Sequence, residues 1–395
     1  TSAPPAGTAN VYARYMSTAT QTITPSPGTV GTSQLSPSLT NVPFFGGSTI
    51  GAGNATGMKN RLINGGMVLD QRNAGASITP TGNTFTVDRW NAITPTLSST
   101  FSVQQNAGSV TPPTGFANYL GLTSLAATTI SSADRSSIKQ VIEGYNTADF
   151  AFGTAGAKTV TLSFWARSSL TGTFGGALQN GASDRAYPFA YTISTANTWE
   201  HKAITVVGDT TGTWAATNTG GMQVYFNVGT GSTYEGAAGS WQSGDLRKPT
   251  GAIDILATNG ATFYVTGVQL EEGNAATSFE FRSYGTELAL AQRYYQLVEG
   301  FAAGSYNSAN IIGSLSFPVV MRASPTVSAT AAIAITYPGV ADYTQASANA
   351  TIVAGRATNR GIQVEMGNFS GMTSGRVHYQ NVAVNNAALA FSAEL

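Results

Sequence analysis

The chain predicts an all-β protein: an antiparallel jelly-roll β-sandwich, then a short helix and a smaller C-terminal β domain, preceded by an extended N-terminal tether. Three observations carry that expectation. Apolar residues alternate with polar ones over many short stretches, the two-residue period of strands with one buried face. Turn-formers punctuate those stretches, with 45 Gly and many Asn, Ser and Thr, and no long amphipathic helical pattern intervenes. Charged residues make up only 10% of the 395, against ~25% in typical soluble chains, while aromatics at 10% supply apolar mass for real cores.

Residues 1–57 read as a tether punctuated by Pro and Gly. Their one strand-like stretch, Val11–Met16, cannot be stable alone. It pairs either with another copy of the chain or with a module that precedes Thr1. The second is the expectation, and the chain then starts inside a longer protein. Residues 58–283 carry the sandwich. "TVTLSFWAR" (159–167) puts Val160, Leu162, Phe164 and Ala166 on one face, and Thr161, Ser163, Trp165 and Arg167 on the other. "GMQVYFNV" (221–228) does the same with Met222, Val224, Phe226 and Val228. "SIKQVIEG", "HKAITVV" and "ATFYVTGVQL" bring the expected total to about eight to ten strands. Trp90 and Trp165 are expected in the core. "VDRW" (87–90) reads as a strand end with a local Asp88–Arg89 pair, and the Gly-rich "FGGALQNGAS" and "FFGGSTIGAGNATG" read as turns.

The rhythm breaks at residues 284–297, a connecting helix with Thr286 as N-cap and Leu288, Ala291, Tyr294 and Tyr295 at helical spacing. Residues 298–395 return to strands: "SLSFPVVMR", "TVSATAAIAIT", "GIQVEMGNF", "RVHYQNVAV" and "ALAFSAEL". The last alternates to the end of the chain.

Composition narrows the chemistry. Lys plus Arg equals Asp plus Glu, 19 each, without basic clusters, which argues against nucleic acid. No apolar run reaches the ~20 residues of a spanning helix, so no membrane insertion is expected. A cysteine-free, weakly charged β chain suits a protein displayed outside cells yet made in a reducing cytoplasm. His201 and His378 fall in different expected domains, and with no Cys they supply neither a nucleophile–base pair nor a zinc site. Calcium needs only oxygen ligands, so a structural site assembled from loops around Glu271, Glu272 or Asp254 stays open. Glycoside cleavage needs two converging carboxylates, and adjacent Glu271 and Glu272 on a strand point to opposite faces. The expected arrangement has one outward in solvent and the other on a loop donor such as Arg282 or a backbone N–H. No catalytic residue is assigned.

The positive signal is aromatic. Sugar rings stack on Trp and Tyr faces, while amides and hydroxyls take their OH groups. Trp214, Tyr234 and Trp241 sit in turn-rich segments beside such groups, and Tyr306, Tyr337, Tyr343, Phe369 and Tyr379 are the candidates in the C-terminal domain. The alternative is that the first three cap the sandwich ends and the others fill a small core.

A family resemblance enters on the motifs "NRLINGGMVLDQRN", "VDRW", "TLSFWARSS" and "FYVTGVQLEEGNAATSFEFRSYGTELALAQRYYQ". Together they resemble a module of tail-fibre and related receptor-binding virion proteins of tailed bacteriophages. The run from Phe279 through Glu280, Arg282, Tyr284, Glu287, Gln292, Arg293 and Tyr295 is its most specific part. "FPVVMRASPTV" and the closing "FSAEL" resemble that family's terminal β domain, and "TSAPPAGTANVYARYMST" resembles the last strand of a preceding fibre module. The resemblance implies a jelly-roll like carbohydrate-binding modules, a homotrimer, and a place in the virion tail after synthesis in the host cytoplasm. Other tail proteins would join at the N-terminal side, and bacterial surface polysaccharide would be the partner. A polysaccharide depolymerase with carboxylates across a trimer interface, and a passive decoration protein, are the alternatives. In this reading the charges of residues 268–296 fasten the last sandwich strand to the helix: they form a joint.

Overall fold

The alternating stretches of residues 58–283 fold into two facing sheets. The computed structural model describes residues 58–337, 343–344, 350–381 and 388–395, all within one compact unit, Gly51–Leu395. The expected tether, with its strand Val11–Met16 and the stretch "FFGGSTIGAGNATG", lies outside the described residues.

The first sheet has seven strands in the order β1 (Gly82–Phe85), β2 (Asn91–Thr94), β5 (Arg135–Glu143), β10 (Gly220–Thr230), β7 (Gly172–Asn180), β8 (Arg185–Ile193) and β12 (Gln242–Ser243). The second has five: β3 (Phe101–Gln105), β4 (Leu120–Ser124), β14 (Thr262–Glu272), β6 (Val160–Ser168) and β9 (Glu200–Val206). Neighbouring strands in both are antiparallel. A short parallel pair, β11 (Glu235–Gly236) with β13 (Lys248–Pro249), belongs to a segment laid over the outer face of the first sheet.

Period-two burial drives this architecture. Val160, Leu162, Phe164 and Ala166 of β6 face Met222, Val224, Phe226 and Val228 of β10, all fully buried. Phe226 is the hub, with ring centroids 4.9 Å from Phe164 and 6.2 Å from both Trp90 and Phe263. Burying each such side chain contributes roughly 1.5–3 kcal/mol.

Four sequence expectations change here. "FGGALQN" is not a turn but most of β7. Its glycines are there for close approach: a Cβ on Gly176 would stand 1.8 Å from the Tyr225 carbonyl, and one on Gly175 2.3 Å from Pro249 Cδ. Trp165 is partly exposed on the outer face of β6, its ring 5.3 Å from His201. Alternation with Phe164 already placed it there, and residue type was the poorer guide. "VDRW" is a turn with Arg89 at φ 70°, and its Asp and Arg do not pair. Asp88 instead takes the backbone and side-chain N–H of Gln71, while Arg89 turns to Glu394. Trp90 is in the core as expected, its Nε1 donating to the Asn64 carbonyl at 3.1 Å. Finally, the expected strand number was too low, because four- and five-residue strands such as β1, β2, β3 and β4 carry too few alternations to stand out.

The helix α1 (Tyr284–Gln292) is shorter than the expected 284–297. Ser283, not Thr286, caps it, its hydroxyl accepting from the Thr286 N–H at 3.4 Å. Tyr295 already opens β15 (Tyr295–Val298), drawn out of the helix by pairing with β24 (Leu389–Ser392). These two and β18 (Thr326–Ala329) form a three-stranded sheet. A seven-stranded sheet packs beside it in the order β20 (Tyr343–Thr344), β19 (Ala334–Thr336), β23 (Val377–Gln380), β16 (Ala302–Ser305), β17 (Ile311–Ser316), β22 (Gly361–Met366) and β21 (Ala350–Ala357). "TVSATAAIAIT" is thus two strands in different sheets, and the last strand ends at Ser392. Phe301, Ile311, Met321, Val364 and Phe391 meet in the core of this part.

Candidate functional site

The carboxylates come first, because they decide whether the joint is also an acid pair. Glu271 is fully buried and accepts from the Thr277 N–H (2.8 Å), the Thr277 hydroxyl (2.6 Å) and Gln269 Nε2 (2.9 Å). Glu272 faces the other way and pairs with Lys158 at 2.8 Å. Asp254 pairs with Lys248 at 2.6 Å and accepts from Asn227 and the Thr230 N–H. The three calcium candidates therefore stay apart. Among the described residues no group of three or more Asp, Glu, His or Cys gathers. Arg282 does not reach Glu271. It lies between Glu280 (3.1 Å) and Glu287 (3.3 Å) and donates to the Leu62 carbonyl.

The joint extends into the C-terminal β part. Arg293 forks onto Glu143 of β5 at 2.8 and 2.5 Å, and the Tyr294 hydroxyl donates to the same carboxylate at 2.7 Å. Glu394, beyond the last strand, is held by Arg72 at 2.9 Å and by Arg89. Those two guanidinium groups lie 3.6 Å over the rings of Tyr295 and Tyr294. Bidentate geometry and planar stacking both suit Arg, and the sequence uses Arg at each position.

Trp214 and Trp241 come together. Their ring centroids are 5.3 Å apart at 88°, with Phe152 at 4.8 and 5.8 Å and Tyr187 5.3 Å from Trp241. Both are partly buried against the sandwich core, and each Nε1 donates to a loop carbonyl, of Thr211 and of Val207. The pair thus plugs the β8 edge of the sandwich while keeping partial exposure. Beside it Arg185 and Asp209 form a two-pronged ion pair at 2.8 Å. Tyr234 is elsewhere, on the outer face of the first sheet, with Arg135 and Arg247 at 5.2 and 5.8 Å from its ring.

In the C-terminal part the candidates separate. Phe369 is 3% exposed in the core, and Tyr337 turns inward toward His378, 6.0 Å away, with Arg376 4.5 Å over its ring. The side chain of Tyr343 lies outside the described residues. Tyr379 and Tyr306 are 50% and 47% exposed. Alternation in β23 buries His378 and Gln380 and turns Val377 and Tyr379 out. Tyr379 stands opposite Ala302, and Val377 opposite Gly304, which in turn faces Ile312. A Cβ on Gly304 would meet nothing within 4 Å. The small residues of β16 therefore leave a trough beside the Tyr379 ring. On the far side of β17 stands Glu365, which accepts from the Tyr306 hydroxyl; that hydrogen bond raises the Tyr306 pKa. From β23 to β22 is three strand spacings, about 14 Å. Ser314 and Gln363 add polar groups to the floor, with Gln363 donating to Ser314 at 3.1 Å and accepting from Arg356 at 2.6 Å. Two tyrosines thus bracket a shallow trough whose floor is small and polar along Ala302, Ser314 and Gln363 and apolar at Ile312.

One aromatic cluster was missed. Phe116, Phe279 and Phe281 meet at 4.9 to 5.2 Å around a 220 Å³ cavity on the outer side of the second sheet. The spacing Phe279–Phe281 put both on one face of an extended stretch, but nothing local brings Phe116 to them.

No family model matches the chain, and no curated protein does. Solved structures similar to it include a phage tailspike and several carbohydrate-binding modules. The enzymatically active domain of bacteriophage CBA120 tailspike protein 4 is 12% identical over 54% of this chain, with a TM-score of 0.27. The chain spans only 21% of that domain's length. The module TmCBM61, solved with β-1,4-galactotriose, is 9% identical over 54% of this chain and 99% of its own, with a TM-score of 0.29. The N-terminal tandem CBM22 domain of Paenibacillus barcinonensis Xyn10C is 9% identical over 81% of this chain and 97% of its own, with a TM-score of 0.25.

Proposed function

We propose that the chain is a non-catalytic adhesin of a bacteriophage tail that binds bacterial surface glycans. It would act as a homotrimer joined to other tail proteins on its N-terminal side. The observation that carries the glycan reading is the exposed Tyr379 ring beside the Ala302–Gly304 trough, with Tyr306 and polar groups across it. Such a surface offers a π-face for a sugar ring and hydroxyl and amide partners for its OH groups. The Trp214–Trp241 corner is a second, smaller aromatic surface. The tail-fibre resemblance of residues 268–296 supports the virion setting, and three weak sites on one trimer would gain strength by avidity. The buried Glu271 and the ion-paired Glu272, Glu143 and Glu394 each have a structural role in the joint, which supports a binding rather than a cleaving protein.

The test is a glycan array probed with the full chain, followed by incubation with each polysaccharide it retains. The expected result is selective retention of one glycan class with its viscosity unchanged. A fall in viscosity would replace adhesion by depolymerisation, and an array with no retained glycan would leave the decoration reading.

A further inference from the structure

The phenylalanine-lined cavity on the outer side of the second sheet is built around a break in β14. Between Thr266 and Gln269 the register with β6 shifts, and Gly267 sits in the break at φ 62°. A Cβ there would stand 2.6 Å from Phe116 Cζ and 3.2 Å from Trp165 Cδ1, so glycine is what lets the Phe116 ring lie down on the strand. Phe279 and Phe281 then close on that ring at 5.0 and 5.2 Å. The cavity opens to solvent: Phe281 is 62% exposed, and Val68, Gly115 and Ala117, which also line it, are exposed as well. Scattered exposed apolar residues need no explanation, but these converge on one concavity.

Charge and hydrogen bonding narrow the occupant. Glu280, Arg282 and Glu287 line the cavity, but they pair with one another, and the two carboxylates also accept from the Asn60 and Asn64 N–H groups. Two carboxylates to one guanidinium leave the lining net negative, which disfavours an acidic ligand. Asn60, the other polar side chain of the wall, is held by the Val268 carbonyl and by the N–H groups of Leu62 and Leu270. Backbone groups stay free: among the described residues, the N–H groups of Gly66, Val68, Gly115 and Ala117 make no hydrogen bond. The cavity is thus an apolar hollow with amide donors at its rim. At 220 Å³ it is smaller than the roughly 300–1,000 Å³ of sites that engulf a drug-sized ligand, and it suits one residue of a saccharide.

We propose that this cavity receives the N-acetyl group of an acetamido sugar, its methyl among the three phenyl rings and its carbonyl oxygen accepting from a backbone N–H at the rim. A plain hexose would put a hydroxyl where the methyl goes, and a hydroxyl enclosed by phenyl rings has no partner there. This rests on the glycan-binding reading and names a substrate class for it, at a face distinct from the Tyr379 trough.

Saturation-transfer NMR of the full chain tests it with four probes: the methyl glycosides of N-acetylglucosamine, N-acetylgalactosamine, glucose and galactose. At least one acetylated sugar is expected to bind about tenfold tighter than its plain counterpart, with its acetyl methyl protons receiving the strongest saturation. Phe281→Ala removes the exposed wall. Gly66→Val fills the hollow from the other side, where a Cβ would meet the Phe279 ring at 3.8 Å, an ordinary contact. Each should weaken binding about tenfold with the melting temperature unchanged, and Phe281→Leu should restore part of the loss. Two variants on different walls keep the test decisive should one fail to fold, and Tyr379→Ala should leave the acetyl signal as it is. Absence of binding by both acetylated sugars overturns the proposal. So does equal binding of acetylated and plain sugars, or an affinity indifferent to Phe281 or to Gly66. If array retention that depends on Tyr379 persists through such a failure, only this inference falls.

Discussion

Gly304 and Gly176 are the same residue type in the same secondary structure, with opposite reasons for being glycine. Gly176 lies under the Tyr225 carbonyl, and Gly176→Ala should cost several kcal/mol by forcing two strands apart, measured by urea unfolding. Gly304 faces open space between Val377 and Ile312, two residues along β16 from Ala302, the partner of Tyr379. Gly304→Val should leave stability within about 1 kcal/mol, since β-branched residues suit strands, yet fill the trough and abolish glycan retention. A Gly304→Val chain that binds as before would remove the trough from the account. Glu394 is a third kind of residue, an acid near the end of the chain whose partners Arg72 and Arg89 lie more than 300 positions earlier. Glu394→Ala would leave the buried Arg89 guanidinium without its ion pair and Arg72 with Asp88 at 3.9 Å, and should destabilise by about 3 kcal/mol. Nothing in "FSAEL" signals this partnership, because the chain's other charges carry no marker of which will meet which.

The helix α1 is the element on which the joint turns. Its cap is Ser283, and Ser283→Ala should cost about 1 kcal/mol in thermal or urea unfolding. Just past its C-terminus, Arg293 and Tyr294 bind Glu143 of β5. Burial raises the Glu143 pKa, but Arg293 and the Tyr294 hydroxyl outweigh it and hold it below the usual 4.5. A folded pKa below the unfolded one means the contribution is present above about pH 4.5 and is lost as pH falls through the lower folded value. Arg293→Met should therefore flatten the acid limb of the stability curve between pH 5 and 3, and an unchanged limb would contradict this role. Long strands with full alternation, β6, β10 and β14, were legible in the sequence, as was the existence of the helix. Its end was not, because Tyr294 and Tyr295 continue the helical spacing while β24, about a hundred residues later, claims Tyr295 for a sheet. The strand in "FGGALQN" was hidden for a related reason, since glycines that admit a neighbour's backbone look like turn residues until the neighbour is known.

At the scale of the molecule, the two β parts are tied at both ends of the second one: at Arg293 where it starts and at Glu394 where it finishes. Arg322 adds a further tie, donating to the Asn218 carbonyl of the sandwich and to the Ala393 and Glu394 carbonyls. They should melt in one calorimetric transition, and two resolved transitions would show that the joint is weaker than its geometry. Such a rigid pairing would hold the Tyr379 trough at a fixed angle to the sandwich, which is useful when several copies must meet one surface. The candidate site was half legible: Tyr306 and Tyr379 were among the aromatic candidates of the C-terminal domain, but their common face follows from a strand order that no local pattern encodes. The most direct test is the affinity of an array-selected oligosaccharide for the Tyr379→Ala chain beside the wild type. Binding should weaken about tenfold, the loss of one stacked ring, with an unchanged melting temperature. Equal affinity in the two chains would contradict the assignment of glycan binding to this face.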